Sequence, residues 1–421
     1  MRDDSVTEPT ALRRNRDFVL LQTGQLLSTF GSGMSSLAYP LLALAVTHSP
    51  AKAGYVAAVS FIPLVAFNLV AGVAADRFER RRMMILADVV GAATLGTLGT
   101  VVLLNHAALW PILIAAFVDS TASIFYNAAS RGAFRSVVPT AQLPTAASAV
   151  QARSAIVRLS APPVGGALFG LARSLPFFAD AVSYAFSTGS VLLMRTRFQE
   201  EREPVPATSL RSELVEGILY FARIPFLRAT IVMIAVSNFT VAGIQFGVIV
   251  LAKRDGLSGA AVGGFVAFVG ATTLLGSLAS PLLRRVLSLN LIMLSELWAA
   301  LGYAAFLVWP NVYVLAGAFA VQAFCFPNTD SAVAAYSYAL IPDRLIGRGM
   351  AASNTLRAIA APFGPLAAGL LLASVSPRLT IAVLVAPTLV AAVLGTMSTA
   401  IRQAPPFEEL AKASAPPASA G

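Results

Sequence analysis

The sequence predicts an all-α integral membrane protein with twelve transmembrane helices in two parallel six-helix repeats. Three observations carry this expectation. Of the 421 residues, 57% are hydrophobic and 12% charged, with a mean hydropathy of +0.75, whereas soluble domains carry about 25% charged residues. Apolar runs able to cross about 30 Å of hydrocarbon as helices recur along the whole chain. In lipid every backbone N–H and C=O needs a partner within the chain, and strict apolar–polar alternation is missing, so helices follow rather than a closed barrel. Third, matching motifs recur at an offset close to 203 residues.

Residues 1–16 are expected to form a cytoplasmic segment; they mix acids and bases and lack the form of a cleavable signal peptide. The first half, 17–195, is predicted to hold spans 17–46, 52–75, 84–104, 108–130, 143–172 and 175–195. A polar linker, 196–225, then divides the spans six and six. Within it, Ser209 to Arg223 sets Leu214, Ile218, Leu219 and Phe221 against polar neighbours, the pattern of a helix at the membrane surface. The second half, 226–401, holds spans 226–251, 259–282, 288–309, 311–338, 346–375 and 377–401. The tail, 402–421, ends in "AKASAPPASAG", a disordered composition. Spans longer than a perpendicular crossing are accommodated by tilt or by breaks at proline.

An even number of spans puts both termini on one side, and arginine decides which. Segments on the side of the termini hold 22 lysines and arginines, among them the clusters Arg77 to Arg82, Arg131 with Arg135, and Arg284 with Arg285. The opposite loops hold five: Lys52, Arg173, Lys253, Arg254 and Arg378. Both termini are therefore expected in the cytoplasm, in a cell inner or plasma membrane. The net charge of +10 is spread over short clusters between apolar runs, which argues against nucleic acid as a partner. The single cysteine, Cys325, lies in an apolar run and excludes an intramolecular disulfide or a cysteine metal cluster.

The repeat is specific. Gly72, Ala75, Arg80 and Arg81 match Gly276, Ala279, Arg284 and Arg285 at an offset of 204. "FYNAAS" (125–130) matches "FPNTDS" (326–331) at 201, and "VVP" ending at Pro139 matches "LIP" ending at Pro342 at 203. "APPVGG" (161–166) matches "GPLAAG" (364–369) at 203, and Arg153 pairs with Arg357 at 204. Two halves related in this way place a binding site near the midplane between them.

The stretch "GVAADRFERRRMM" (72–84) resembles the loop signature G-x-x-x-D-R-x-G-R-R between spans two and three of the major facilitator superfamily. Gly72, Asp76, Arg77, Arg80 and Arg81 fall on it, while Glu79 stands at the second glycine. "APPVGG" resembles the span-five signature G-P-x-x-G-G of the exporter branch, with Ala161 replacing its first glycine. The order "RGAFRSVVPTAQLPTAAS" then "APPVGG" is similar to siderophore and macrolide exporters. The resemblance implies a cytoplasmic gate in which Asp76 lies near a helix N-terminus of the other half, a favourable place for a carboxylate. It also implies a cavity lined by spans one, four, seven and ten.

Ionisable residues inside spans are costly and need a partner or a function. On the predicted spans Asp119 and Arg153 lie about 16 and 15 Å from the cytoplasmic ends, and their equal depth predicts a pair. Asp330 and Arg357 are predicted to pair likewise. Glu296 and Arg158 have no partner that the sequence names. Asp88 and Asp180 fall close to span ends, where a structural or interfacial role is expected. Proton coupling needs a buried carboxylate with access to water, for which Asp119, Glu296 and Asp330 are the candidates. Arg153, Arg158 and Arg357 suit an anionic or richly polar substrate. Tyr126, Asn127 and Asn328 are candidate substrate contacts, with Pro327 expected to break its helix. Pro162, Gly165, Gly166, Gly364, Pro365 and Gly369 allow close packing and rocking of spans five and eleven.

Other chemistries find no support. The lysines Lys52, Lys253 and Lys412 do not follow a glycine loop, so no nucleotide-driven pump is expected. His48 and His106 fall in outer loops without zinc spacing, and no nucleophile elbow occurs. No catalytic residue, metal or cofactor is expected. The reading is a monomeric, proton-coupled secondary exporter of a small amphipathic or polar anionic compound, siderophore-, macrolide- or drug-like. Its partners are substrate, protons and the bilayer. A facilitator or importer keeps the same charge layout and stays open as an alternative; a membrane enzyme is the distant one.

Overall fold

The computed structural model describes residues 12–196, 198, 219–220, 223–340 and 346–402. Among the described residues the chain consists of helices and short connections, without a strand. The first set comprises α1 (Arg16–Thr47), α2 (Pro50–Arg77), α3 (Arg80–Leu103), α4 (Leu109–Val137), α5 (Leu143–Leu171) and α6 (Leu175–Leu193). The second begins with α7 (Pro225–Arg254), α8 (Gly259–Val286), α9 (Leu289–Ala299) and α10 (Ala304–Val308). It continues through α11 (Val312–Leu340), α12 (Ile346–Ala358), α13 (Phe363–Ser374), α14 (Pro377–Met397) and the short α15 (Thr399–Arg402).

Local chemistry sets the helix ends. Ser49 Oγ accepts from Lys52 N (3.4 Å) ahead of Pro50 in α2, and Ser376 Oγ accepts from Leu379 N (3.3 Å) ahead of Pro377 in α14. The serine cap accepts from one of the free N–H groups of the starting helix, and proline in the first turn removes another. Asn15 serves two helices: its Oδ1 accepts from Phe18 N (3.1 Å) to start α1, and its Nδ2 donates to Val137 O (2.9 Å) where α4 stops.

Among the described residues, eleven helical stretches are long and apolar enough to cross a membrane. The predicted span outside this group is α6, 19 residues long, whose Asp180, Ser183 and Ser187 are buried as it packs on α1 and α3. Span four continues to Val137 rather than stopping at residue 130. Span nine is interrupted by the 3-10 turn Ala300–Tyr303, and span eleven by residues 359–362 between α12 and α13. Pro327, against expectation, leaves α11 continuous. The proposed surface helix Ser209 to Arg223 lies largely outside the described residues. Large apolar side chains such as Leu86, Ile114, Leu171 and Leu278 are exposed, as on a surface that meets lipid.

The packing differs between the two ends of the bundle. At the arginine-poor end one buried core joins both sets, including Leu41, Leu42 and Phe177 with Ile244, Phe246 and Leu384. Toward the arginine-rich end the core divides. Phe18, Met84, Tyr126 and Ala133 pack within the first set, and Phe226, Ile292, Met293 and Tyr336 within the second. Small residues make the joint between the sets. Gly166 meets the backbone of Gly259, Gly263 meets that of Pro162, and Gly54 meets Pro365 and Gly369. Gly165 lies against the Met34 backbone and Gly364 against Phe239 O and Gly243, tightening each set internally. A side chain at these points would fall on backbone that has nowhere to move.

The joint makes a prediction. Gly166→Val should hold the arginine-poor ends apart, so that a cysteine at the buried Val262, in a Cys325→Ser background, reacts several-fold faster with a membrane-impermeant maleimide. Unchanged reactivity would show that the glycine contact does not hold the ends together.

Candidate functional site

The division of the core leaves a cavity of about 860 Å³ along α1, α4 and α5. It runs from Ser32, Ser123 and Tyr184 at depth, past Tyr126, Asn127 and Arg153, to Arg131 and Arg135 near the arginine-rich end. Its wall on α1 is a polar stripe. Gln22, Gln25, Ser28, Thr29 and Ser32 recur at the three- and four-residue spacing of one helical face.

Arg153 on α5 is held by that stripe, donating from Nη1 to Gln25 Oε1 (2.7 Å) and Gln22 Oε1 (2.8 Å). Its partners are neutral, so its positive charge is retained facing the cavity. Asp119 on α4 is buried. Its Oδ1 accepts from Tyr184 Oη (2.8 Å) and its Oδ2 from Tyr39 Oη (3.2 Å). The Tyr184 hydroxyl also lies 3.1 Å from Ser32 Oγ and 3.2 Å from Ser123 Oγ, both on the cavity wall. One tyrosine hydroxyl thus separates the carboxylate from the cavity.

The expected Asp119–Arg153 pair is therefore corrected. Because α4 extends to Val137, Asp119 lies about 27 Å from that end, against about 15 Å for Arg153 on α5. Their contacts on α1, Tyr39 and Gln25, are about 21 Å apart along the helix. Of the structural or interfacial role expected for Asp88 and Asp180, the interfacial half is corrected, because both are fully buried. Asp180 Oδ1 accepts from Ser183 Oγ (3.0 Å), while the hydroxyls of Tyr126 and Ser187 lie 3.0 Å apart. Arg158 is exposed and lines neither of the larger cavities.

In the second set Asp330 and Arg357 do meet, at 2.9 Å, with Arg357 the better buried. Here the estimate of depth works because α11 and α12 end near their expected positions. Glu296 is buried and accepts from Ser237 Oγ. Asn328 Nδ2 donates to Gly276 O (3.3 Å) and Phe324 O (3.2 Å), joining α11 to α8 inside the packing rather than at the cavity. Gln322, the counterpart of Asp119 at the repeat offset, accepts from Tyr303 Oη (2.7 Å).

The charged loop between α2 and α3 fastens the arginine-rich end. Arg80 donates to Phe198 O (3.0 Å) and Ala75 O (3.2 Å), packs over Gly132, and lies 3.7 Å from Asp76. Arg81 donates to Leu192 O (2.7 Å) at the end of α6, where a cation suits the helix dipole. Arg284 repeats the pattern, donating to Ser331 Oγ (2.7 Å). Gly72 has open space at its Cα, and Arg77 is exposed. Residues 341–345, which lead into α12 at Ile346, lie outside the described residues.

Sequence reasoning missed Tyr39, Tyr184, Gln22, Gln25, Ser32 and Ser123. The polar periodicity of α1 was the available signal for three of them, Gln22, Gln25 and Ser32; the tyrosines carry none, since an isolated tyrosine in an apolar run reads as packing.

These features define a polytopic helical membrane protein with a polar cavity reaching its interior. The chain matches the transmembrane secretion effector family over residues 7–418 and belongs to it, within the major facilitator superfamily. It is 25% identical to the uncharacterized transporter YfiS of Bacillus subtilis, over 52% of each chain. It is 26% identical to macrolide efflux protein A of Streptococcus pyogenes over 37% of this chain and 38% of that one. The figure is 40% for the multidrug efflux pump Tap of Mycobacterium tuberculosis, over 18% and 19% respectively. The chain spans about half or less of the length of these curated relatives. A bacterial homologue of the iron transporter ferroportin, solved in an inward-facing state, superposes with a TM-score of 0.71 at 16% identity, over 92% of this chain and 99% of that one. A bacterial homologue of the human lysosomal transporter Spinster gives 0.70 at 15% identity, over 96% and 99%. At these identities the likeness is one of fold, that of the major facilitator transporters.

Coupling energies test the pairings. A double-mutant cycle of Asp330→Asn with Arg357→Gln should give about 0.5–2 kcal/mol in detergent unfolding. The cycle of Asp119→Asn with Arg153→Gln should give none beyond about 0.3 kcal/mol. The reverse pattern would restore the pairing at equal depth.

Proposed function

We propose that the protein is a proton-coupled exporter of a small amphipathic or polar anionic compound, acting as a monomer by alternating access. One observation carries the reading: a large polar cavity holds an arginine whose partners are neutral, and a buried carboxylate stands one hydroxyl behind its wall. With the arginine-rich end and both termini in the cytoplasm, as the charge bias requires, this is the inward-facing state. Substrate enters from the cytoplasm or inner leaflet and sets its anionic group against Arg153. Asp119 exchanges a proton with the cavity through Tyr184 and the Ser32 and Ser123 hydroxyls.

A protonated Asp119 removes charge from the bundle and favours one orientation, while bound substrate favours the other. Rocking about the glycine joint would then open the arginine-poor end, with the Asp76 loop closing the cytoplasmic side. Glu296 and the Asp330–Arg357 pair remain candidates for a second titrating site. The efflux activities named for the macrolide and multidrug relatives support export over uptake, and no nucleotide, metal or cofactor is called for.

Proton flux in proteoliposomes, read with a trapped pH dye as candidate amphipathic and anionic compounds are added, tests this reading. Asp119→Asn should abolish substrate-dependent flux. Arg153→Gln should weaken substrate affinity by roughly tenfold or more, the loss of one charge-assisted hydrogen bond, while leaving the protein folded. Flux that survives Asp119→Asn would remove that carboxylate from coupling, and transport without any flux would make the protein a facilitator.

A further inference from the structure

The arginine-poor end holds a second cavity, of about 550 Å³, which the proposed transport path does not use in this state. It lies over the glycine joint and is lined from both helix sets, by His48, Arg173, Lys253 and Arg254 among others. This concentration is unexpected. The sequence leaves five lysines and arginines for the whole of this face, and three of them converge on one cavity with one of the chain's two histidines.

The polar side chains come from different elements: His48 follows α1, the cation Arg173 follows α5, and the cations Lys253 and Arg254 end α7. Each lies at a helix C-terminus, where a cation is ordinarily favoured, and for two of them that role uses few donors. Lys253 Nζ donates to Leu257 O (2.9 Å) and Arg254 Nη2 to Leu372 O (2.6 Å), leaving further N–H groups on both. Arg173 makes no hydrogen bond or ion pair among the described residues. No carboxylate lines the cavity, and the flanking Asp255 forms no ion pair with Arg254. The N-termini of α2 and α8 open at the same place, through Pro50 and Gly259, and add their positive dipole ends.

We propose that this cavity binds an oxyanion of two or more charges, of the phosphate or carboxylate class. The anion would touch both helix sets only while the glycine joint is closed, so it would act as a clamp on that end. Binding does not depend on the transport reading; a clamp on transport does. Phosphate chemistry could come from a free anion or from a lipid headgroup, and the surrounding membrane decides between them.

The test is isothermal titration of inorganic pyrophosphate into the full-length protein at low ionic strength, in neutral detergent. Saturable binding is expected, weakened roughly tenfold by Arg173→Gln and likewise by Lys253→Gln, and unchanged by Arg153→Gln in the other cavity. Neither substitution touches the core, so both variants should fold, with wild-type unfolding temperatures as the control. Repeating the titration in nanodiscs separates the sources. Loss of pyrophosphate binding when phosphatidylglycerol replaces phosphatidylcholine would identify a lipid headgroup as the occupant, and retained binding would identify a free anion. Equal affinity in the Arg173→Gln/Lys253→Gln double variant, no binding by wild type in either medium, or weakening by Arg153→Gln would overturn the proposal.

Discussion

Hydrocarbon offers no hydrogen bond, and this one constraint arranges nearly everything polar in the chain. Asp119 is held by two tyrosine hydroxyls, Arg153 by two glutamine side chains and Asp330 by Arg357. At the arginine-rich end, Arg81 donates to Leu192 O at the end of α6, and Arg80 to Phe198 O in the chain beyond it. The cost of an unpaired polar group in such surroundings is several kcal/mol. The partners are therefore structural facts first. Tyr184 and Arg153, which line the cavity, are the ones on which the proposed transport rests.

The same constraint shapes the joint between the helix sets. Without a hydrophobic drive between helices in lipid, association relies on close backbone approach, which small residues permit. The glycines of α2, α5, α8 and α13 supply it at one end only. A single core spans both sets there, whereas separate cores stand at the other end. The proposed rocking rests on this arrangement, joined by backbone-close glycines and one core at one end and divided at the other.

The helical membrane fold was legible because hydropathy is a long-range average that survives errors of several residues. The site was legible only in part. Asp330 and Arg357 could be paired because their helices stop near where the sequence suggests. Asp119 and Arg153 were misassigned because "YNAASRGAFRSV" continues α4 through two arginines that hydropathy reads as the end of a span. Depth along a helix also says nothing about facing: Arg153 turns to α1, and Asp119 to α1 and α6. Asp88 and Asp180 looked interfacial for a similar reason, since a position near a helix end does not reveal that neighbouring helices cover it. Tyr39 and Tyr184 gave no sign, because a hydroxyl on an aromatic ring is neutral to hydropathy and decisive for a buried carboxylate.

The central claim is that one carboxylate behind the cavity wall gives up its proton to the water of the cavity as a compound binds there. Proton release on ligand binding tests it most directly, in weakly buffered detergent solution with a macrolide or siderophore-like compound that binds the purified protein. The account predicts release of about one proton per bound compound by the wild type and none by Asp119→Asn, with binding itself retained. Equal release by both proteins would contradict it, and would place the coupled proton elsewhere in the bundle.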